Sequence, residues 1–194
     1  MKVSKEVMAT HKEQIIAAAA RCFRERGFDG ISVAEIMNDV GLTHGGFYRH
    51  FASKDELVAA ASLRAVSETI TKWRKVAEEA PGDRLEALVN SYLSQRHHDH
   101  PETGCLFAAL GGELARQPSS VKEAVEAGQQ QCVDFLSGIV PGNTKVLRRK
   151  QAIVALASMV GGMILARDSS DAEFRREVLK DVSHAIPEGV RATN

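Results

Sequence analysis

The chain has little of several features that mark other protein classes. It contains three cysteines, one tryptophan and equal numbers of acidic and basic residues, so its formal net charge is zero. Three cysteines at wide spacings are an odd number, which argues against a disulfide framework and for a reducing compartment. The first residues show no secretory signal, and no apolar run reaches the roughly 20 residues of a membrane span. We therefore expect a cytoplasmic protein without a membrane segment.

Motifs of the common enzyme classes are also missing. No phosphate-binding loop, dinucleotide fingerprint or nucleophile elbow occurs in the sequence. His97, His98 and His100 offer imidazoles that zinc or nickel would accept, but adjacent histidines point to different faces of a helix. A solvated helix end is the simpler interpretation. We expect no enzyme activity, no cofactor and no metal, and a metal-dependent enzyme that uses these three histidines is the distant alternative.

Helix signals recur along the whole chain. Serine or threonine followed three residues later by glutamate is a pairing that caps a helix N-terminus from both sides. Sustained alternation of polar and apolar residues, which would indicate strands, is missing. The predicted starts are Thr10, Ser32, Ser53, Ser120 and Ser170, with Asp83 as a weaker case. Proline and glycine turns then divide an all-α chain into about nine helices, three of them in an N-terminal head.

The segment around Gly41 carries the strongest functional signal. Ser32 and Glu35 begin a short helix, and Gly41 stands where a helix ends in the left-handed conformation that glycine adopts freely. Thr43 is expected to cap a second short helix, which sends two phenylalanines toward the core. Two short helices joined by a sharp turn indicate a helix-turn-helix, whose second helix enters the major groove of DNA.

The same segment resembles the signature of the tetracycline-repressor (TetR) family of bacterial regulators. The family pattern Ser/Thr-x-Gly-x-x-Tyr-x-His/Tyr-Phe-x-x-Lys is matched at every fixed position, by Thr43, Gly45, Tyr48, His50, Phe51 and Lys54. The resemblance covers roughly residues 10 to 58. It implies a DNA-binding domain at residues 1–54 and a ligand-binding and dimerisation domain at residues 55–194. It also implies a repressor that binds a palindromic double-stranded DNA operator as a homodimer and leaves it when a small-molecule inducer binds.

Eight residues of the head are expected to contact DNA. Tyr48, His50 and Lys54 would bind phosphates, and Thr43 would reach a phosphate or a base edge. His44 would face the bases. Gly45, Gly46 and Ser32 complete the set. Residues 1–54 hold eight lysines and arginines against six acids, so the placement of charges rather than their excess must attract DNA.

Two alternatives to this interpretation of the head stay open. In the first, Tyr48 and His50 only pack the head. In the second, the protein is a helical DNA-binding structural factor without an inducer. The long helix from Ser53 to about Ala80 joins the head to the body in either case.

Between residues 55 and 165 the sequence predicts a small-molecule cavity among the helices of the body. The candidates for its apolar wall are Trp73, Phe107, Met159 and Met163. The candidates for polar contacts with the ligand are Tyr92 and Arg96. Side chains of these types at helical spacing more often form plain core, which is the alternative. The inducer stays unidentified.

Cys105 follows a glycine at a predicted helix start, where free N–H groups and the helix dipole favour a thiolate. The resemblance implies that such a cysteine senses electrophiles or oxidants, so modification of Cys105 is a second candidate trigger. We favour the plainer interpretation, a cysteine of ordinary reactivity in the wall of the cavity. Cys22 and Cys132 lie on apolar helix faces and are expected in the core.

The last two helices are expected to form a dimer interface. Residues 153–166 are almost wholly apolar, so this helix needs cover on all sides. The resemblance implies that it pairs with the final helix around a two-fold axis. The predicted dimerisation residues are Val160, Gly161, Gly162, Ile164, Phe174, Val178 and Val182. In the alternative, both helices only fill the core of the monomer.

Overall fold

Residues 5–192 are described by the structure, a computed structural model, and within them the chain forms nine α-helices and no strand. The helices are α1 (Lys5–Arg26), α2 (Val33–Asp39), α3 (Lys54–Glu79), α4 (Arg84–Tyr92), α5 (Gln95–Asp99), α6 (Leu106–Leu114), α7 (Ser119–Ser137), α8 (Lys145–Asp168) and α9 (Ala172–Ala192). Two 3₁₀ turns lie at His44–Arg49 and Pro101–Thr103. The predicted all-α class is confirmed. The outer ends of the two predicted domains, residues 1–4 and 193–194, lie outside the described residues.

Three of the six predicted helix starts are confirmed. At Ser32 the hydroxyl oxygen accepts the Glu35 N–H, at 3.2 Å, while the Glu35 carboxylate accepts the Ser32 N–H, at 2.9 Å. Ser53 caps α3 by accepting the Glu56 N–H, and Asp83 caps α4 with its carboxylate. These side chains bond backbone N–H groups that have no partner inside the helix.

The other three predicted starts are wrong. Thr10 lies inside α1, where its hydroxyl donates to the carbonyl of Glu6 instead of capping. Helix α7 begins at Ser119, directly after Pro118, so Ser120 is already inside it. At α9 the carboxylate of Asp171 takes the capping role expected of Ser170, because an ionised carboxylate is the stronger acceptor and stands one residue closer.

The turn after Gly41 differs from the predicted α-helix. Gly41 has the expected left-handed conformation, with φ of 72°. The following segment is a 3₁₀ helix closed by bonds from the Gly46 N–H to the Thr43 carbonyl and from the His50 N–H to the Phe47 carbonyl. Thr43 makes no side-chain capping bond, which corrects its predicted role. Two successive glycines disfavour a regular α-helix here.

The helical segment that follows the predicted start at Asp83 is divided into two helices. Helix α4 ends at Tyr92, and α5 restarts three residues later. The break occurs because the Ser94 hydroxyl accepts the His97 N–H and so creates a new helix start.

The body is built around α3 and α8. Helix α3 packs on α1 within the head and continues into the body, where it packs on α7 and α4. Helix α8 packs between α7 and α9. By length and composition α8 is apolar enough to cross a membrane, and it carries fully buried residues such as Ala155 and Met159 against its neighbours.

The apolar stretch of α8 is not covered on all sides by its own chain, as a helix that meets a second subunit would require. Ile153, Val154 and Leu165 are each about half exposed. Neighbouring helices cover one side of α8 and leave the opposite side open, so this surface needs a partner to be buried.

The head and body are joined by more than the predicted long helix. Arg24 of α1 is 5% exposed, and its guanidinium donates to the Gly104 carbonyl, at 3.1 Å, and to the Glu68 carboxylate, at 2.9 Å. Burial alone would raise the pKa of Glu68, but hydrogen bonds from Arg64 and Arg24 outweigh it and lower the pKa. A second joint runs from the Phe28 N–H to the Glu113 carboxylate of α6, at 2.8 Å.

Candidate nucleic-acid interface and body cavity

The 3₁₀ turn is anchored by one phenylalanine and presents its other side chains to solvent. Phe47 is 1% exposed and stacks on Phe51 with ring centroids 5.5 Å apart, whereas Tyr48 is 70% exposed. Tyr48 packs edge-to-face on Phe47 and stands 6.5 Å from the ring of His44. Tyr48 therefore lies outside the core of the head. Within the turn His44, Gly45 and Tyr48 are exposed and Gly46 is partly exposed, and with the neighbouring exposed Thr43 they form a small polar surface.

Cations gather beside this surface, around His50. The ring of His50 is 6.2 Å from that of His11, and the Lys12 ammonium lies 5.0 Å above the Phe51 ring. Burial and the positive charges of His11, Lys12 and Arg49 lower the pKa of His50. A phosphate placed here would relieve that repulsion. Sequence reasoning missed these three neighbours, although Arg49 lies inside the motif and two basic residues in the first helix were a usable signal.

The remaining predicted DNA contacts have partners within the chain. The Lys54 ammonium donates to the Ile31 carbonyl at 3.4 Å and lies 3.9 Å from the Asp29 carboxylate. Both separations are long, and the Asp29 side chain is fully exposed, so a phosphate can replace it at little cost. Ser32 donates its hydroxyl proton to Glu35 at 2.7 Å, so it acts as the cap of α2.

A cavity of about 390 Å³ lies between α3, α4 and the loop after α5. Four of the seven predicted ligand residues line it: Trp73, Tyr92, Arg96 and Cys105. Its wall also includes Lys72 and His97, which sequence reasoning did not select.

The other three predicted ligand residues do not line this cavity. Phe107 lines a separate cavity of about 350 Å³ beside α7 and α8. Met159 and Met163 are fully buried in the core of α8. An apolar residue at helical spacing has the same sequence signal in a cavity wall and in plain core, so sequence alone cannot assign these three residues to one cavity.

His97 closes one side of the cavity and has a defined tautomer. The Cys105 N–H donates to His97 Nε2, at 3.0 Å, and His97 Nδ1 lies 2.7 Å from the Tyr92 carbonyl oxygen. A carbonyl can only accept and a backbone N–H can only donate, so the single ring proton is on Nδ1. Burial lowers the pKa of His97 to about 4. His97 is therefore neutral at physiological pH.

The same contacts weaken the metal alternative. Both ring nitrogens of His97 are already used, while His98 and His100 contact the carboxylates of Asp99 and Glu102. Across residues 5–192 no three histidine, cysteine, aspartate or glutamate side chains are grouped so that they could hold a metal ion.

All three cysteines are buried. Cys105 is 2% exposed and lies at the N-terminus of α6, where it lines the cavity. Cys22 and Cys132 lie in the core as predicted, and burial raises the pKa of each thiol. A reagent would therefore have to approach Cys105 through the cavity.

An apolar groove of about 490 Å³ runs along the surface between α8 and α9. Its α8 side presents Val154, Gly161 and Leu165, which recur on one face of the helix. Of the predicted dimerisation residues, Gly161, Gly162 and Val182 line this groove. A Cβ on Gly162 would lie 3.1 Å from Val182 of the same chain, so its close contact is within the monomer.

The remaining four predicted dimerisation residues do not line the groove. Phe174 is 46% exposed near the start of α9, and Val178 is buried within the chain. Val160 lines the cavity beside α7, and Ile164 approaches Gly111 of α6. Val160 and Ile164 are each partly exposed, and their place in a dimer interface stays a prediction.

Known proteins match the chain in both halves. A family model described as bacterial regulatory proteins of the tetR family matches residues 15–61, and one described as a tetracyclin repressor-like C-terminal domain matches residues 81–144. The HTH-type transcriptional regulator BetI of Stenotrophomonas maltophilia is 34% identical over 188 residues, covering 93% of this chain and 92% of that protein. YerO of Bacillus subtilis, an uncharacterized HTH-type transcriptional regulator, is 27% identical over 92 residues. The match covers 47% of this chain and 32% of the length of that relative.

The HTH-type transcriptional repressor NemR of Escherichia coli is similar in sequence and in fold. It is 25% identical over 129 residues, which cover 65% of each chain. The crystal structure of its reduced form has a TM-score of 0.72 at 20% identity, covering 90% of this chain and 96% of that one. Structural likeness at this identity shows a shared fold.

Proposed function

The chain belongs to the TetR family of bacterial transcriptional regulators, and on that premise we propose that it is a cytoplasmic repressor released from DNA by a small molecule. Two copies would place their 3₁₀ turns in successive major grooves of a palindromic operator. The exposed polar turn held by buried Phe47 carries this proposal. An element that enters a DNA groove must be held rigidly by the core while its polar side chains stay exposed. Domains at residues 1–54 and 55–194 are part of the proposal.

We assign phosphate and base contacts to residues of the head from their exposure and charge. Tyr48, His50 and Lys54, with the cations around His50, would bind phosphates and fix the register. His44 and the exposed backbone of Gly45 and Gly46 would face bases. With two glycines in the turn, DNA shape and contact with thymine methyl groups would contribute to sequence choice.

The first test is selection of DNA by the purified protein from random duplexes. We expect an inverted repeat whose half-site centres lie about one helical turn, roughly 34–36 Å, or a multiple of it apart. A pool without enrichment, or single unpaired half-sites, would contradict the proposal. Many scattered genomic sites would instead favour a structural DNA-binding factor without an inducer.

A charge test addresses Lys54. Replacing Lys54 by alanine should weaken binding to all sequences alike and reduce the slope of log affinity against log salt by about one per subunit. Lys122→Ala, on the exposed surface of α7, is the matched control and should leave the slope unchanged. Equal slopes for both variants would show that Lys54 does not contact DNA phosphates.

The homodimer is proposed from the groove between α8 and α9. A half-exposed apolar stripe on α8 costs free energy in water, and a second copy would bury it. In sedimentation velocity at micromolar concentration the wild type should be a dimer and Leu165→Glu a monomer. Leu63→Glu adds the same charge at an exposed site on α3 and should stay dimeric. A monomeric wild type would end this part of the proposal.

Modification of Cys105 is proposed as a second trigger. Its thiol lines the cavity and its backbone is tied to His97, so an added group would push on the loop before α6. After treatment with N-ethylmaleimide, mass spectrometry should find one adduct, at Cys105, and operator affinity should fall. Cys105→Ser should resist both changes. An adduct at Cys105 with unaltered operator affinity would leave the small molecule as the only trigger.

A further inference from the structure

We infer that the body cavity takes an organic anion, a carboxylate on an apolar body, and that Lys72 and Arg96 bind the carboxylate. The inference rests on the proposed function, in which this cavity holds the effector. It names the chemical class of that effector.

The charges that line the cavity are unbalanced. Three lysine and arginine side chains, Lys72, Lys75 and Arg96, face a single carboxylate, that of Glu79. Glu79 is 3.9 Å from Lys75, one helical turn away, so this pair compensates itself. Among residues 5–192 neither Lys72 nor Arg96 forms an ion pair within 4 Å of a carboxylate. Both side chains are exposed to solvent and line the cavity, so they can reach a ligand that binds there.

The surroundings of Lys72 disfavour its positive charge. Its ammonium donates to the carbonyl oxygen of Thr103. Burial lowers the pKa of Lys72, and the positive charges of Arg24 and Arg96 lower it further, against a smaller opposing effect of Glu68 and Glu102. An anion between Lys72 and Arg96 would reverse the repulsion and gain charge-assisted hydrogen bonds.

The rest of the cavity wall is apolar and aromatic. Trp73 and Tyr92 meet edge-to-face with centroids 6.0 Å apart, and Val76 and Leu88 extend this surface. A volume of about 390 Å³ lies within the range of small-molecule sites, roughly 300–1,000 Å³. A ligand with one charged end and an apolar body matches both parts of the wall.

Matched acid and amide pairs test the charge requirement directly. Octanoate and octanamide have nearly the same shape, as do biphenyl-4-carboxylate and its carboxamide, and within each pair the amide removes the charge and replaces one acceptor oxygen by an NH2 donor. Binding is measured by calorimetry and by emission of Trp73, which is the single tryptophan and lines the cavity. We expect at least one acid to bind tighter than its amide by about tenfold or more, because only the acid gains charge-assisted hydrogen bonds to Lys72 and Arg96.

Variants assign the carboxylate to its partners. Lys72→Met keeps the apolar stem, Arg96→Gln keeps hydrogen-bonding capacity, and each should reduce the preference for the acid severalfold or more. Lys122→Met, which lies outside the cavity, should keep the preference. Unchanged circular dichroism and sedimentation of the variants would show that they fold.

Three results would overturn the inference: equal affinities for acid and amide, an acid preference that survives both variants, or no acid binding below about 1 mM. Operator selection is measured separately. A protein that selects an inverted repeat but binds no carboxylate would refute only the ligand class, whereas loss of DNA selection would refute the proposed function.

Discussion

Mild acid is expected to destabilise the fold through His97. In the folded protein this ring is neutral, because Nε2 accepts the Cys105 N–H and burial disfavours a charge. Its pKa is about 4 when folded, against 6.5 for an unperturbed histidine. The unfolded chain therefore binds a proton that the folded chain does not bind, and acid favours unfolding. The stabilisation is fully present above about pH 6.5 and is lost progressively as the pH falls toward 4.

The size of the effect follows from those two pKa values. At pH 5 the unfolded histidine is almost fully protonated and the folded one about a tenth protonated, which gives a loss of about 2 kcal/mol relative to pH 8. For a chain of this length that loss corresponds to a fall in melting temperature of roughly 4–8 °C. Because oligomerisation also shifts the melting temperature, the protein concentration must be held fixed.

The assay is urea unfolding at several pH values between about 5 and 8, with His97→Gln as the matched variant. Glutamine offers a donor and an acceptor but does not titrate, so the variant should lose the His97 component of the pH dependence. His50, whose pKa is also lowered, acts in the same direction in both proteins and cancels in the comparison. NMR should show a proton on Nδ1 of His97. A ring that titrates near pH 6.5, or equal pH dependence in both proteins, would refute the reasoning.

Two further substitutions test the joint between head and body. Gly27→Ala should lower the free energy of unfolding by about 1–3 kcal/mol, because φ is 81° and a Cβ would lie 2.7 Å from the Glu113 carboxylate. Thermal melting measures the loss, with Gly82→Ala as the control, because a Cβ on Gly82 would meet no atom within 4 Å. Arg24→Met keeps the buried stem but removes both hydrogen bonds of the guanidinium, so ligand-induced release in a mobility-shift assay should weaken more than operator affinity itself; a parallel loss of both would contradict a transmitting role.

The head was largely predictable from sequence because its local signals agree with one another. The Ser32 cap, the left-handed Gly41 and the buried phenylalanine of the turn each depend on a few neighbouring residues, and the structure has all three. The helix type of the turn was not predictable in the same way. A motif fixes which side chains are exposed, but the choice between α and 3₁₀ bonding depends on small energies at Gly45 and Gly46.

The body was less predictable because its site is made by contacts distant in sequence. Trp73 and Tyr92 were found from residue type alone, and Lys72 was missed because a lysine on a helix usually marks a solvated face. Arg24 carried a usable signal that was overlooked. It follows Phe23 on the apolar face of α1, where a charge is tolerated only if partners pair with it.

The loop between α5 and α6 is where the cavity and the head meet. From the cavity side, Lys72 donates to the carbonyl of Thr103; from the head side, Arg24 donates to the carbonyl of the next residue, Gly104. A carboxylate that draws Lys72 toward itself would release one of these two bonds. The loop would then be held by Arg24 of α1 and by the Cys105 contact to His97. Because α1 packs against α2 and α3 in the head, a shift of this loop would change the orientation of the 3₁₀ turn with respect to the body. In the proposed dimer, ligand binding would therefore be coupled to groove spacing through the backbone groups of Thr103, Gly104 and Cys105.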